Sequence, residues 1–285
     1  MTDPTRTLVT LALDEDLAGE GDLTSRFFVP AAHHSQGRIV SRESCVVSGS
    51  AVAEEVCRRV GEDLLFTSVL SDGSPAEKGN LVALLEGPTT LVLQAERTVL
   101  NFLQRLSGVA TTTRRYAAAI AHTRARLLDT RKTTPGWREL EKAAVTHGGG
   151  TNHRLGLFDA IMVKDNHLAA NSDPVDLAER ITAVRAQYPG IKIEFEADHL
   201  DQVETFLHLA GIDAILLDNM SNGQLREAVG LRDQIAPSIL LEASGGVHLE
   251  TIAGIAETGV DFISVGALTH SVRSIDLGLD LVAAG

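Results

Sequence analysis

Five cationic side chains lie within a short stretch of a chain that is otherwise strongly acidic. They are Arg131, Lys132, His153, Arg154 and Lys164, in a chain of 285 residues with a formal net charge of −13. Arginine binds carboxylates and phosphates through two parallel hydrogen bonds, whereas lysine acts as a compact charge with rotatable donors. A surface ion pair with a nearby acid could explain any one of these residues, but it explains all five poorly. The group therefore predicts a site for a small ligand with carboxylate and phosphate groups.

Acidic side chains follow on later segments. Glu194 and Glu196 are two residues apart in an apolar stretch, so an extended strand would place both on one face, and Asp218 ends a further apolar run. Such carboxylates could hold a divalent metal through water and substrate hydroxyls, stabilise a cationic transition state, or pair with Lys132 and Lys164. The residues alone leave these three roles open.

Two serine–glycine segments supply backbone amides. Ser244-Gly245-Gly246 and Ser264-Val265-Gly266 each end an apolar run, and amides in such turns bind anions. The triple glycine at 148–150 is a weaker signal, because it fits a loop, a phosphate cradle or a close helix contact equally well. Together, the cations, acids and glycine turns indicate transfer of a phosphorylated sugar to a carboxylated acceptor.

Six short apolar runs place these polar residues at the ends of strands. The runs cover residues 127–128, 160–163, 191–195, 214–217, 239–241 and 262–265. Strands of a parallel sheet read as near-continuous hydrophobic runs because helices cover both faces, and residues 174–188 between two runs have helical apolar spacing. Since the loops after the strands form the active site of an α/β barrel, the pattern predicts that fold here.

The first hundred residues show a different pattern. Strand-like pieces occur at 37–40, 45–47, 64–69 and 81–85. No helix of crossover length separates them, so they predict an open antiparallel or mixed sheet, packed by helices that include 51–60. A long helix is predicted over 90–107, with Gly108 as its stop. Arg97 and Asn101 share its polar face, for which solvation is the simplest explanation from spacing alone.

Composition limits the function classes. With 44% hydrophobic and 22% charged residues, the chain can bury one large core or two medium ones, and its negative charge argues against a general nucleic-acid or anionic-membrane surface. No apolar stretch approaches the roughly 18 residues of a membrane span, and residues 1–22 carry too many acids for a signal peptide. We therefore expect a cytoplasmic protein, in which Cys45 and Cys57 are buried reduced thiols.

Several blocks, in order along the chain, resemble the quinolinate phosphoribosyltransferase family. The blocks are Glu96-Arg97-Thr98 with Leu100-Asn101-Phe102, residues 106–111, Asp129-Thr130-Arg131-Lys132-Thr133, Gly148-Gly149-Gly150 with Asn152-His153-Arg154, Leu217-Asp218-Asn219 and residues 260–266. The resemblance extends from Glu15 to the carboxyl terminus. One departure follows Glu196, where His199 stands in a segment in which relatives often have another acid and an amide.

The resemblance implies a fold, an assembly and a reaction. It implies an α/β protein with an amino-terminal α/β sandwich domain over residues 1–108, on which the tail 268–285 packs, and an incomplete parallel α/β barrel of TIM type over 109–267. It also implies a homodimer with shared active sites. The implied reaction joins quinolinate to phosphoribosyl pyrophosphate and gives nicotinate mononucleotide, pyrophosphate and carbon dioxide in de novo NAD synthesis, with Mg²⁺.

The resemblance implies residue roles as well. Arg131, His153, Arg154 and Lys164 would hold quinolinate, and Arg97 would reach in from the partner subunit, in place of the solvated face that spacing suggests. The residues implied to be catalytic are Lys132, which serves the pyrophosphate side, Lys164, and Glu196 and Asp218, near which substrate and water would hold magnesium without direct protein ligands. The full implied substrate-binding set is Arg97, Thr130, Arg131, Lys132, His153, Arg154, Lys164, Glu196, Asp218, Ser244, Gly245, Gly246, Ser264, Gly266 and His270.

Three other functions compete with this one. A molybdenum-associated relative of the family would share the scaffold and much of the phosphate site, but the intact cationic set favours a dicarboxylate substrate. A catalytically silent sugar-phosphate binding protein would be expected to have lost some of these acids and lysines. An aldolase-type barrel enzyme could use Lys132 or Lys164 as a Schiff-base nucleophile, which borohydride trapping with a carbonyl substrate would detect.

Overall fold

The computed structural model describes residues 2–169 and 173–283. Its helices are α1 (Asp3–Leu17), α2 (Leu23–Phe28), α3 (Ser50–Val60), α4 (Thr89–Ala119), α5 (Arg138–His147), α6 (Asp165–Leu168), α7 (Pro174–Gln187), α8 (Leu200–Leu207), α9 (Asn222–Ile235), α10 (Ile252–Ala256) and α11 (Ala267–His270). Its strands are β1 (His34–Ser41), β2 (Cys45–Val46), β3 (Leu65–Ser68), β4 (Pro75–Ala76), β5 (Leu81–Pro88), β6 (Arg126–Leu128), β7 (Ala160–Val163), β8 (Lys192–Ala197), β9 (Ala214–Asp218), β10 (Leu240–Ser244), β11 (Phe262–Ser264) and β12 (Leu277–Ala283).

The chain divides into two compact units. The first comprises residues 1–114, 133–149 and 268–285, and the second comprises 115–132 and 150–267. Residues 284 and 285 of the predicted carboxyl-terminal tail, like residue 1, lie outside the described residues.

An antiparallel sheet forms the centre of the first unit. In the described part of the chain its order is β12-β1-β5-β3, and β2 pairs separately with β4. The carboxyl-terminal strand β12 pairs with β1 from Ser35 to Ser41. Helix α3 packs beside β3 and matches the helix predicted at 51–60. The predicted amino-terminal α/β domain with an antiparallel sheet is confirmed.

Helix α4 is longer than predicted. It runs from Thr89 to Ala119 without a break, so the predicted stop at Gly108 is wrong, and the predicted domain boundary after residue 108 falls inside this helix. A Cβ atom at Gly108 would lie 2.3 Å from the carbonyl oxygen of Arg273. The glycine therefore permits close approach of a second backbone segment and does not end the helix.

A parallel sheet forms the second unit. Its strand order within the described residues is β6-β11-β10-β9-β8-β7, and every neighbouring pair is parallel. All six predicted runs form these strands, and α7 matches the helix predicted at 174–188. Because β6 and β7 are not paired with each other in this described sheet, the barrel is incomplete, as predicted.

Local sequence determines where the loop after β9 ends. Ser221 and Gln224 form a reciprocal cap at the start of α9: the Ser221 amide donates to Gln224 Oε1 (3.0 Å), and the Gln224 amide donates to Ser221 Oγ (3.4 Å). The cap leaves only a short loop after Asp218, the last residue of β9. This loop keeps Asp218 at the carboxyl edge of the sheet.

Two further predictions concern the cysteines and membrane-spanning helices. Cys45 and Cys57 are buried free thiols, as predicted, and burial raises the pKa of Cys57 to about 12. Across residues 2–169 and 173–283, no helix combines the length and the hydrophobicity that a membrane crossing needs.

Candidate active site

The carboxyl ends of the parallel strands surround a cavity of about 340 Å³. Its lining residues are Thr130, Arg131, Lys132, His153, Arg154, Met162, Lys164, Glu196, Leu216, Asp218, Glu242, Ser244 and Ser264. Most of these are residues that the sequence predicts for the site. Since the carboxyl edge is where loops of α/β barrels form active sites, this cavity is the candidate active site.

Two arginines give the cavity a cationic wall. Arg154 donates through Nη1 to the carbonyl of Ala160 (3.1 Å), and burial together with the charge of Arg131 lowers the pKa of Arg154. Within the described residues, the buried Nε of Arg131 has no hydrogen-bond partner. An unsatisfied buried donor costs about 1–3 kcal/mol, so this wall favours an anion that supplies the missing acceptor.

Two acidic side chains at the ends of β8 and β9, Glu196 and Asp218, form an acidic rim. Glu196 on β8 forms an ion pair with Lys164, which follows β7. Asp218 at the end of β9 accepts a hydrogen bond from the Asn219 side-chain amide (2.6 Å), and Asn219 has a left-handed backbone with φ of 54°. Glu196 therefore has the structural partner that the sequence left open, while Asp218 keeps a partly exposed carboxylate at the cavity.

Three side chains on neighbouring elements form a buried histidine–glutamate cluster, which comprises His153, Glu194 and Glu242. His153 Nε2 lies 3.3 Å from Glu194 Oε2 and 3.2 Å from Glu242 Oε2. The ring is fixed further because the His153 amide donates to Asp129 Oδ1 (2.7 Å) and the Arg154 amide donates to His153 Nδ1 (2.7 Å).

Burial and charge act in opposite directions on this cluster. Burial disfavours a charged His153 ring, but the hydrogen bonds with Glu194 and Glu242 and the charges of both carboxylates outweigh it and raise the pKa of His153 to about 10. Burial, and next the charge of Glu242, raise the pKa of Glu194. The three groups place possible ligand atoms within 4.8 Å of one another. The positive charge of Arg154 also acts on Glu194 and opposes the rise of its pKa.

Glycine turns continue from the two cavity serines. Gly245 and Gly246 follow Ser244 with φ values of 88° and 59°, a conformation that disfavours side chains. A Cβ atom at Gly245 would also lie 2.2 Å from Asn219 Oδ1. The turn after β10 therefore requires glycine both for its backbone and for its contact with the turn after β9. Gly266 follows Ser264 in the corresponding position after β11.

Comparisons with known proteins decide the family. Residues 22–107 match the model described as the quinolinate phosphoribosyl transferase N-terminal domain, and residues 109–280 match the model of the C-terminal domain of the same enzyme. The chain belongs to the quinolinate phosphoribosyltransferase family.

Individual relatives agree along the whole chain. Nicotinate-nucleotide pyrophosphorylase [carboxylating] of Mycobacterium leprae (strain TN) is 44% identical over 283 residues, which cover 98% of both chains. The probable enzyme of that name from Bacillus subtilis (strain 168) is 38% identical and covers 94% of this chain and 90% of its own. The solved nicotinate-nucleotide pyrophosphorylase of Francisella tularensis superposes with a TM-score of 0.90 at 35% identity, covering 98% and 96%.

In this phosphoribosyltransferase family member, two groups at or beside the cavity, Glu242 and Asp129, were not assigned to the site from the sequence. Glu242 lines the cavity, and Asp129 accepts a hydrogen bond from the His153 amide. Glu194, one of the acids predicted for the site, contacts the His153 ring. The signal for Glu242 is a charged residue directly after the apolar run 239–241, and the same kind of signal marks Glu196 and Asp218. What the sequence does not contain is the proximity of Glu242 to Glu194 across the intervening strand β9.

Two predicted substrate-binding residues lie elsewhere in this chain. Arg97 is exposed on α4, and His270 is exposed at the end of α11. Both belong to the first unit and neither lines the described cavity. The contribution of Arg97 to a partner subunit stays a prediction.

Proposed function

We propose that this protein transfers the phosphoribosyl group of phosphoribosyl pyrophosphate to quinolinate, with loss of carbon dioxide, to give nicotinate mononucleotide and pyrophosphate. The observation that carries the proposal is the unsatisfied, buried Nε of Arg131 beside Arg154 in a cavity that also holds Lys132 and Lys164. This wall matches a planar dicarboxylate better than a neutral or cationic ligand. The family assignment supports the same reaction.

Arg131, Arg154 and Lys164 would act by orienting quinolinate. Arg131 and Arg154 present planar, fixed donors, and an ion pair with Glu196 holds the Lys164 ammonium in place. Two carboxylates held between these groups would leave the pyridine nitrogen directed at the ribose. Holding two reactants in one geometry lowers the entropic part of the barrier.

Charge complementarity would serve the transfer step. As pyrophosphate departs, positive charge grows on the ribose, and the fixed carboxylates Glu196 and Asp218 stabilise that charge more in the transition state than in the ground state. Lys132 would neutralise the leaving group. Once the ribose is attached, the pyridine nitrogen is cationic, so the adjacent ring carbon can keep the electron pair of the breaking carbon–carboxylate bond as carbon dioxide leaves. That carbon then takes a proton from water.

A magnesium ion fits the same rim. The oxygen donors of Glu196 and Asp218 are of the type that Mg²⁺ prefers, and Mg²⁺ characteristically keeps water and binds substrate phosphates. These two residues would hold it through water and substrate, where it would supply charge neutralisation of the pyrophosphate. We propose further that the protein works in the cytoplasm as a homodimer in de novo NAD synthesis, with Arg97 of the partner subunit completing each site.

The decisive experiment follows both products. Quinolinate labelled in its 2-carboxylate is supplied with phosphoribosyl pyrophosphate and Mg²⁺, and labelled carbon dioxide, pyrophosphate and nicotinate mononucleotide are measured. We expect equal amounts from the wild type and a loss of about 100-fold or more for Arg131→Ala, since a charged, bidentate contact is removed.

Arg226→Ala, on the exposed surface of α9, is the matched control and should retain wild-type rates. A folded wild-type protein that forms none of the three products would refute the proposed reaction.

A further inference from the structure

The histidine–glutamate cluster carries an inference about where its protons reside. The Arg154 amide donates to His153 Nδ1 at 2.7 Å, and a ring nitrogen that accepts a hydrogen bond carries no proton. The single ring proton therefore lies on Nε2. That one N–H faces two carboxylate oxygens, Glu194 Oε2 at 3.3 Å and Glu242 Oε2 at 3.2 Å.

One proton cannot satisfy two ionised carboxylates in this environment. Glu194 and Glu242 are only 7% and 2% exposed, and the second oxygen of Glu242, Oε1, is buried without a hydrogen-bond partner among the described residues. Two like charges that share a buried site cannot both remain ionised without a large penalty, and the usual remedy is that one of them keeps its proton.

We propose that the histidine–glutamate cluster holds a second proton at neutral pH, on one of its two carboxyl groups. Glu194 and Glu242 are then positioning residues that orient His153. The proton also keeps the cluster, called here the floor of the cavity, at one negative charge instead of two. This inference rests on the proposed function for its consequence, because the charge of the floor sets how well a dicarboxylate is held. The shared proton itself does not depend on that function.

The surroundings support a single neutralising proton. The sheet neighbours in register with Glu194 are Met162 and Ala214, and those of Glu242 are Leu216 and Phe262, so none of these four in-register neighbours is charged. Arg154 acts on Glu194, Arg131 and Asp159 act on Arg154, and Asp129 holds the His153 amide. Glu196, two residues from Glu194 on the same face of β8, is paired with Lys164.

Loss of the proton would therefore place a second negative charge next to the cationic wall. The contacts of His153 Nε2 with both carboxylates hold this proton at neutral pH, and the cluster gives it up only at alkaline pH, as a unit of three coupled groups. Quinolinate should bind well below that pH and poorly above it, and the effect should concern quinolinate more than phosphoribosyl pyrophosphate.

The first test is spectroscopic and uses the substrate-free protein. We expect nitrogen NMR at pH 7 to show His153 with Nε2 protonated and Nδ1 unprotonated, and infrared spectra to show a carboxylic-acid C=O band that shifts in heavy water. Glu194→Gln and Glu242→Gln should each remove the band, because the remaining carboxylate accepts the Nε2 proton alone. Glu227→Gln, on the exposed surface of α9, should keep it. A doubly protonated ring with no such band would overturn the proposal.

The second test measures the KM for quinolinate between pH 7 and 10.5. In the wild type it should rise about twofold where the proton is half lost and about fourfold half a pH unit higher, with a smaller change in the KM for phosphoribosyl pyrophosphate. In Glu194→Gln, whose cluster carries one negative charge at every pH, this rise should disappear.

An equal rise in wild type and variant would refute the role of the shared proton in binding. Absence of any turnover with quinolinate would instead refute the proposed function, and the spectroscopic result would still decide the proton's location.

Discussion

Arg131 and Lys132 are adjacent in the chain but occupy different environments. Arg131 is half-buried, with its Nε enclosed, whereas Lys132 is exposed and its backbone amide is held by Thr130 Oγ1 at 3.1 Å. A planar, enclosed guanidinium suits a fixed carboxylate, and a mobile ammonium suits a leaving pyrophosphate that changes position during the reaction. Under the proposed function, Arg131 would bind the acceptor and Lys132 would neutralise the leaving group.

Arg131→Lys should show this difference without removing the charge. We expect the KM for quinolinate to rise by about 10- to 100-fold, because lysine cannot replace the fork of donors and leaves the Nε position empty. The KM for phosphoribosyl pyrophosphate should change much less. Steady-state kinetics with each substrate varied in turn gives both values.

Arg226→Lys on α9 is the control for the substitution itself and should leave both constants unchanged. If Arg131→Lys raised both KM values equally, the division of labour between Arg131 and Lys132 would be wrong.

Residue types predicted most of the cavity because charged residues interrupt apolar runs only where a partner or a ligand compensates them. Arg131, Lys164 and Asp218 were found on that basis. Glu242 carries the same signal, but its place in the histidine–glutamate cluster depends on the order of strands, which puts β9 between β8 and β10. Pairwise proximity across a sheet is not encoded in spacing along the chain.

At the level of elements, the strands were easier to predict than the ends of the helices. A buried parallel strand needs a continuous apolar run, and that requirement is local. Glycine, in contrast, is required for several reasons. Gly108 looks like a helix stop, yet it lies within α4. Glycine is required there because the backbone at Arg273, 165 residues later in the chain, passes close to it.

Gly108→Ala should therefore destabilise the protein, although alanine is the better helix former. The new Cβ would lie 2.3 Å from a backbone oxygen, and we expect a loss of about 1–3 kcal/mol in the free energy of unfolding. Urea unfolding followed by circular dichroism measures the change.

Gly230→Ala provides the matched control within helix α9. Apart from its chain neighbours and the backbone of its own helix, no heavy atom of the described residues lies within 4 Å of a Cβ placed there. The substitution should therefore stabilise the protein by about 0.5–1 kcal/mol. A stabilised Gly108→Ala protein would show that the backbone at residue 273 can move away, and the explanation for glycine at position 108 would fail.

For the whole molecule, the histidine–glutamate cluster links folding to pH. In the unfolded chain the proton binds with the ordinary histidine pKa of 6.5, and in the folded protein with a pKa of about 10. Between these values the folded state binds more protons, so the free energy of unfolding should fall as pH rises from about 6.5 to about 10, by at most about 1.4 kcal/mol per pH unit. The stabilisation is complete below pH 6.5 and lost above pH 10.

Urea unfolding at intervals across this range measures the slope. Glu194→Gln should flatten it, whereas Glu227→Gln on the surface of α9 should not. Equal slopes in the wild type and in Glu194→Gln would show that other groups cause the dependence on pH.

The assembly is the largest scale at which the sequence makes a specific claim. Arg97 is exposed on α4 in the single chain, and the proposed homodimer would place it in the site of the partner subunit. The pattern of the helix alone favours a solvated face, because spacing within one chain contains no information about a second copy. Only the blocks shared with the family point to a role in a neighbouring site.

Mixing two inactive variants tests this directly. Arg97→Ala lacks the group given to the partner, and Lys132→Ala lacks a group of its own site, so a mixed dimer would contain one intact site and one doubly defective site. With random pairing of equal amounts, about a quarter of the wild-type activity should return, since half the dimers are mixed and each has one working site. Co-refolding followed by the product assay measures this recovery.

Lys132→Ala mixed with Lys164→Ala is the control, because both defects lie in the same chain's cavity. Each mixed dimer then still has two damaged sites, so mixing restores nothing. If Arg97 acted within its own chain, its mixture with Lys132→Ala would remain as inactive as that control.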